Sequence, residues 1–331
     1  MRSMKLKIII LVASWAILFS CSEPKQDRWC DHPIREEFKA FDEVQTRSTW
    51  FKVYRVGEGV FAIAEPYNFQ EVISYLIVGQ ERNLLFDTGM GMDSISKVVR
   101  ELSALPVIVI NSHTHYDHIG GNHEFDSIYA VDTSYTHRSA QEGWSHEKVS
   151  QEVNENSFCI ERLPSLDTAS YFVKPYQDKI AQYINDGQTI DLGGRLIEFL
   201  QVPGHTPDGI ALLDRTAGYL WTGDNYYEAT IWLFFDGTDL AAYGKSVDKL
   251  AHLAPELKKV FPAHNTTSVS PSHLLDWQNA FQMIKSGQAK GYSNSRNSHP
   301  GDTAAMTFDF ENFSFLIRKG DLEEIQVHKA H

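Results

Sequence analysis

Four side chains able to hold a metal ion stand within six residues in the stretch His113-Thr114-His115-Tyr116-Asp117-His118. Imidazole and carboxylate are ligands that zinc accepts, and a catalytic zinc keeps one position open for water. His113 and His115 are two apart on irregular backbone and can converge on one ion; Asp117 and His118 can turn toward a second. The chain has 14 histidines, but chance seldom sets four ligands at fixed positions in so short a motif. The apolar run Leu105-Pro106-Val107-Ile108-Val109-Ile110 precedes it, and its β-branched residues predict a short buried strand. The ligands then emerge at the carboxyl end of a strand, where open α/β sheets place their binding crevices.

Three later segments repeat the arrangement. Val202-Pro203-Gly204-His205, Trp221-Thr222-Gly223-Asp224 and Val260-Phe261-Pro262-Ala263-His264 each read as a strand, a small residue or proline, and one ligand. A lone His or Asp after a strand is usually a satisfied loop residue. Three in order behind a cluster of four outweigh that reading.

The elements that must position these residues follow from the pattern of apolar side chains. Strands are predicted at 51–56, 60–64, 74–78 and 83–86, with turn chemistry in Gly57-Glu58-Gly59 and around Gly79. Residues 92–105 carry Ile95, Val98, Val99 and Leu102 at helical spacing, so strand, helix and strand form a βαβ unit with a right-handed crossover. A strand is predicted at 128–131. Residues 133–186 turn polar with scattered aromatics and predict helices around 141–156 and 173–185, an insertion lying over the site mouth or a peripheral helical pair. Strand signals return at 188–192, 196–202, 209–214, 219–222 and 259–262, with helices at 240–253 and 274–284. The alternating tail, 307–317, reads as an edge strand closing a sheet. The order predicts an α/β (α+β) chain of two mixed sheets packed face to face with helices outside.

At 331 residues, with 42% hydrophobic and 22% charged residues, the chain has the composition of a globular protein with a substantial core. Its first twenty residues differ. Arg2, Lys5 and Lys7 precede an apolar run from Ile8 to Phe19, too short to span a bilayer and suited to a signal-peptide core. The close, Leu18-Phe19-Ser20-Cys21, resembles a bacterial lipoprotein signal. Residues 1–20 are therefore expected to be a signal peptide, with Cys21 lipidated and the mature chain anchored to a membrane in the periplasm or at the cell surface. A plain secretory signal or an uncleaved anchor is the alternative. Residues 21–50 read as a tether with a short amphipathic helix carrying Ile34, Phe38 and Phe41 on one face, and the main domain is placed at 51–331. Losing residues 1–20 removes three positive charges and no negative ones, moving the formal net charge from −13 to −16. Such a chain repels phosphate backbones, so nucleic acid is not an expected partner and a small molecule is. Cys30 and Cys159 can pair in an oxidising compartment or stay as two thiols; their spacing does not decide. Nothing in the sequence sets an oligomeric state.

Taken together, the ligand motifs resemble the metallo-β-lactamase superfamily, a four-layer αββα sandwich with a metal site between the sheets. The match runs from about residue 51 to 285. The resemblance implies a dinuclear zinc site, with iron or manganese as other occupants. His113, His115 and His205 would hold the first ion and Asp117, His118 and His264 the second, with Asp224 bridging. Asp87-Thr88-Gly89 resembles the superfamily's early acidic motif, which braces the metal loop. The implied chemistry is attack by a metal-bridging hydroxide on the carbonyl of a lactone, ester, thioester or amide, with Asp117 orienting the nucleophile. β-Lactamases of the superfamily carry Cys or Ser where this chain has Asp224, so Asp224 is more similar to the glyoxalase II and lactonase branches. The basic glutathione-binding pair of glyoxalase II is not evident after His264. Tyr227, three residues after Asp224, is placed like a lactonase tyrosine that donates a hydrogen bond to substrate; the plain reading is a core aromatic. Asp208 reads as a turn or cap residue. β-Lactamase activity and a mononuclear iron, persulfide-dioxygenase-like oxidoreductase remain as alternatives, as does a non-enzymatic surface lipoprotein.

Overall fold

The computed structural model describes residues 29–163, 166–294 and 305–327. The expected signal peptide and Cys21 lie outside the described residues. No helix among the described residues is long and apolar enough to cross a membrane.

The first sheet has eight strands in chain order: β1 (Asp42–Val44), β2 (Lys52–Gly57), β3 (Val60–Ala64), β4 (Ile73–Val78), β5 (Asn83–Phe86), β6 (Val107–Ile110), β7 (Ile128–Val131) and β8 (Ile180–Ile184). Strands β1 to β5 form an antiparallel meander, and β5 to β8 run parallel. Helix α1 (Ile95–Leu102) makes the crossover from β5 to β6. All five residues of β3 are buried. A strand covered on both faces has no polar side to alternate with, hence its unbroken apolar run.

The second sheet takes β9 (Thr189–Asp191), β10 (Leu196–Gln201), β11 (Ile210–Asp214) and β12 (Tyr219–Gly223). After β13 (Thr230–Leu233) leaves for a third sheet, β14 (Lys259–Pro262) pairs parallel with β12. The two sheets meet through alternate residues. Leu84 and Phe86 of β5 point into the layer shared with Phe199, Leu212, Trp221 and Phe261, while Leu85 points back toward Val98 and Val99 of α1. Trp221 and Phe261 stack at 5.2 Å. On the far side, Leu200, Leu213 and Val260 pack under helices α5 (Leu240–His252) and α6 (Ser272–Lys285). Helix, sheet, sheet, helix is the expected four-layer order.

Several local expectations change. Residues 29–50 do not form a free tether. Asp42–Val44 adds an edge strand to the first sheet, Phe38 is buried against Tyr54, and Cys30 is disulfide-bonded to Cys159 with Cα atoms 5.4 Å apart. The helix bearing Phe38 is a single 3-10 turn, Glu36–Ala40. In the insertion, the helix expected at 141–156 is replaced by α3 (Ser134–Glu142) and α4 (His146–Val149), broken at Gly143, whose φ of 63° is left-handed. In the span expected to be a helix, 173–185, Gln177–Lys179 form a 3-10 turn and Ile180–Ile184 form the strand β8, which pairing with β7 decides. The tail is not one edge strand. β16 (Ala305–Asp309) and β17 (Ser314–Arg318) form a hairpin in a third sheet, ordered β13-β17-β16 and then β15 (Tyr292–Asn294), with α7 (Lys319–Val327) behind it. The break at 310–313 is a turn that alternation across it concealed.

A candidate dinuclear metal centre

The loop after β6 carries His113 and His115 and then one short helix, α2 (Tyr116–Ile119), that presents Asp117 and His118. The loops after β10, β12 and β14 deliver His205, Asp224 and His264. Two glycines make that delivery possible. A Cβ on Gly204 (φ 136°) would lie 2.3 Å from Tyr243 backbone, and one on Gly223 (φ 55°) would lie 2.5 Å from Ser112 Cβ. Each lets a ligand loop approach another element more closely than any other residue allows.

All seven expected ligands are buried and come together in three overlapping groups: His113 with His115 and His205; His113 with His118 and Asp224; Asp117 with His118 and His264. Asp224 lies between the two ends. Its Oδ2 is 3.6 Å from His205 Nε2 and 4.0 Å from His113 Nε2, and its Oδ1 is 3.2 Å from His118 Nε2 and 3.0 Å from His264 Nε2. Asp117 Oδ2 stands 3.5 Å from His118 Nε2 and 3.8 Å from His264 Nε2.

The outer nitrogens show what this arrangement fits. His205 Nδ1 donates to Trp232 O at 2.8 Å, His264 Nδ1 to Gln70 O at 2.7 Å, and His118 Nδ1 to Asp87 Oδ2 at 2.9 Å. A carbonyl oxygen can only accept, so these bonds put the proton on Nδ1 and leave Nε2 of each neutral ring with a lone pair. Yet His264 Nε2 and His118 Nε2 are 3.3 Å apart. In the neutral rings two lone pairs would then face each other and repel, and a shared cation would satisfy both. Two nitrogens held at about 2.0–2.1 Å by one tetrahedral ion lie about 3.4 Å apart. His205 Nε2 and His115 Nδ1 are 3.2 Å apart, and buried His113 Nε2 has no hydrogen-bond partner. The donor set fits two cations.

The electrostatics agree. Burial works against a proton on His113 and His115 and holds both well below the usual histidine range; it lowers His205 as well. At His118 and His264 the burial penalty is outweighed by Asp224 and Asp117, which hold both pKa values up, so without metal these rings favour the protons that a bound cation would displace. For Asp224, burial is overcome by His264, His118 and His113, so its carboxylate stays ionised. The site concentrates negative charge among imidazoles and calls for positive charge.

Asp87 (φ 66°) follows β5 and braces the loop, accepting Ser112 N–H at 2.6 Å as well as His118 Nδ1. Asp208, read from sequence as a turn residue, accepts the Thr114 hydroxyl at 2.7 Å and so fixes the residue between His113 and His115. Tyr227 lines the cavity beside the site, its ring 4.9 Å from that of His264, but its hydroxyl donates to Thr230 O at 2.6 Å. Glu65 was not foreseen. It is buried, accepts Trp50 Nε1 at 2.7 Å and Met90 N–H at 2.9 Å, and supports the turn that carries Asp87. Nothing in its spacing marks it out, since it is a lone acid after an apolar strand.

Above the ligands opens a cavity of about 340 Å³ with His115, Asp117, His205, Asp224 and His264 on its floor. Tyr135 and Trp144 from the insertion form part of its wall.

Comparison with known proteins agrees with this geometry. Acyl-coenzyme A thioesterase MBLAC2 of Bos taurus is 25% identical over 66% of this chain and 82% of its own length. A hydroxyacylglutathione hydrolase of Synechococcus sp. (strain JA-2-3B'a(2-13)) is 27% identical over 53% of this chain and 56% of its own. Among solved structures, a metallo-beta-lactamase family protein from Thermus thermophilus covers 70% of this chain and 82% of itself at 19% identity, with a TM-score of 0.53, a likeness of fold. The family model for the metallo-beta-lactamase superfamily matches residues 69–264, more than half of the chain and the span holding all seven candidate ligands. This chain belongs to the metallo-β-lactamase superfamily.

Proposed function

We propose that this metal-dependent hydrolase of the superfamily cleaves the acyl bond of a small thioester or ester with two zinc ions, one held by His113, His115 and His205, the other by Asp117, His118 and His264, and Asp224 reaching both. The observation that carries the reading is the approach of His118 Nε2 and His264 Nε2 to 3.3 Å while both Nδ1 atoms donate elsewhere. When bound, the ions supply charge for a carbonyl oxygen and lower the pKa of a water toward neutrality. The chain's own groups do the rest. Asp117 accepts a hydrogen bond from the attacking water and so fixes its direction. The water oxygen bonds to the acyl carbon, the carbon–sulfur or carbon–oxygen bond breaks, and the water's proton leaves with the thiol or alcohol. The thioester preference rests on the two relatives named for acyl-coenzyme A and hydroxyacylglutathione. From the resemblance of residues 1–21 to a lipoprotein signal, we propose that the mature protein lies outside the cytoplasm, anchored through Cys21.

The test is metal analysis of purified protein together with a panel of thioester, lactone, β-lactam and phosphodiester substrates. Two zinc per chain and thioester or ester turnover abolished by chelation are expected. One iron per chain without hydrolysis would favour the dioxygenase-like alternative and overturn this reading, and turnover confined to β-lactams would move the chain to the β-lactamase branch.

A further inference from the structure

The cavity wall is aromatic and comes from segments outside the two central sheets. Tyr135 and Trp144 enter from the insertion on one side. Trp232, Phe234 and Phe235 enter from the end of β13 on the other, a strand whose partner β17 lies beyond the span matched by the superfamily model. The rings close around one ligand: from His115, ring centroids lie 5.1 Å away at Phe235, 6.1 Å at Trp144 and 6.5 Å at Tyr135. Phe235 and Trp232 are only partly buried, packed 5.7 Å apart.

Both signs of charge line the same cavity. Two basic side chains line it. Lys148 Nζ bonds Glu142 Oε2 at 3.0 Å, and Arg318 donates to the Phe234 carbonyl while its buried Nε has no hydrogen-bond partner. Apart from the two ligand carboxylates, the lining acids are Glu152 and Asp236. An anionic acyl end seated against this wall meets Glu152, Asp236 and aromatic carbon that does not replace its hydration. Apolar carbon meets aromatic rings.

Resting on the hydrolase reading above, we propose that these two flanking segments form an acyl pocket selecting bulky uncharged acyl groups, and that they reject acyl groups ending in a carboxylate. Arg318 then tethers the aromatic turn at 234–235.

The experiment varies only the acyl end. Thioesters of N-acetylcysteamine bearing acetyl, butyryl, hexanoyl, phenylacetyl and succinyl groups are compared on the metal-loaded full chain. In parallel, octanoate and succinate are titrated against tryptophan fluorescence. Each added methylene buried against the wall is expected to raise kcat/KM about fourfold. Hexanoyl and phenylacetyl should be the best substrates and succinyl should fall below butyryl. Phe235→Ala should bring the hexanoyl-to-acetyl ratio of kcat/KM toward one, with the melting temperature read in parallel to show that the variant is folded. Tyr135→Ala should do so as well. A flat series, or succinyl preferred to butyryl, would overturn the acyl pocket while leaving the hydrolase standing. If no thioester turns over, the thioester preference falls, and the pocket is judged by binding alone. Octanoate quenching fluorescence at lower concentration than succinate upholds the pocket, and the reverse order rejects it.

Discussion

The ligand loop and the wall that faces it across the cavity are built to different tolerances. The loop is fixed from every side. Asp87 holds Ser112 N–H and His118, Asn111 holds the His118 carbonyl at 2.8 Å, and Asp208 holds Thr114, whose carbonyl also accepts Ser139 at 3.0 Å and Trp144 at 3.2 Å. The wall depends mainly on ring packing, with Arg318 donating to the Phe234 carbonyl and Thr238 N–H to the Phe235 carbonyl. Metal coordination demands nitrogen and oxygen positions to a few tenths of an ångström, and hydrogen bonds supply that direction. An apolar acyl group demands only volume and dryness, which rings supply without fixed direction. One side of the cavity is therefore brittle and the other adjustable.

The most direct way to break the brittle side is Asp224→Ala, which removes the carboxylate that lies between both clusters. Loss of several kcal/mol of charge stabilisation lowers kcat/KM about a thousandfold or more. The same variant should lose most of the thermal shift that metal gives the unaltered protein, because ions that bind only the folded state stabilise it by mass action. A calorimetric melt with and without chelator checks this. Undiminished stabilisation by metal would show that the seven residues do not act as one site.

Next in size is the disulfide, which ties residues 129 positions apart. It joins the N-terminal segment to the stretch whose Ser157 O and Cys159 N–H bond to Phe69 N–H and Tyr67 O. That stretch borders Gln70, whose carbonyl orients His264. Cys159→Ser is expected to cost about 2–5 kcal/mol of stability, read from denaturant midpoints, while kcat changes little. A large loss of metal with only a small loss of stability would place the disulfide with the ligand brace.

A finer probe of the brace is Asp87→Asn. Asparagine offers one acceptor, and with that on Ser112 N–H its amide faces His118 Nδ1 as a donor. The His118 proton then moves to Nε2 and the lone pair that would hold a metal is lost. Metal affinity should fall about 10–100-fold at the second site, measured by competition with a chromogenic chelator. An unchanged affinity would mean that the loop backbone alone sets the ring.

The brittle side was also the legible one. A metal site needs particular residue types, so His113, His115, Asp117, His118, His205, Asp224 and His264 stand out in the sequence, and the strands before them carry a β-branched, two-sided burial pattern. What supports a site can be any residue in the right place. Glu65, Asp208 and the ring of Phe235 act through contacts far away in sequence, which no local spacing encodes. The same cause explains β8, whose pairing with β7 overrode the expected helix, and the tail, whose hairpin was hidden by alternation continuing through its turn. The pairing of Cys30 with Cys159 depended on residues 29–44 folding back on the first sheet, and their polar composition had suggested a tether.

Glu65 offers the smallest and most pointed test, because it asks what the bracing of the loop costs. Burial pushes its carboxyl up to about 8 from an ordinary 4.5, against the N–H groups of Met90 and Trp50 that pull it down. Between those two values the folded metal-free protein keeps a proton that the unfolded chain has released. Stability then falls as pH rises from about 4.5, and the whole cost is present above about 8. Glu65→Gln removes the titration, so the melting temperature of the unaltered protein, relative to this variant, should decline across that window. A difference that stays level from pH 4.5 to 8.5 would mean that the two N–H donors keep the carboxylate charged throughout. In that case the support behind Asp87 is a fixed negative charge, available to the cations as well as to the fold.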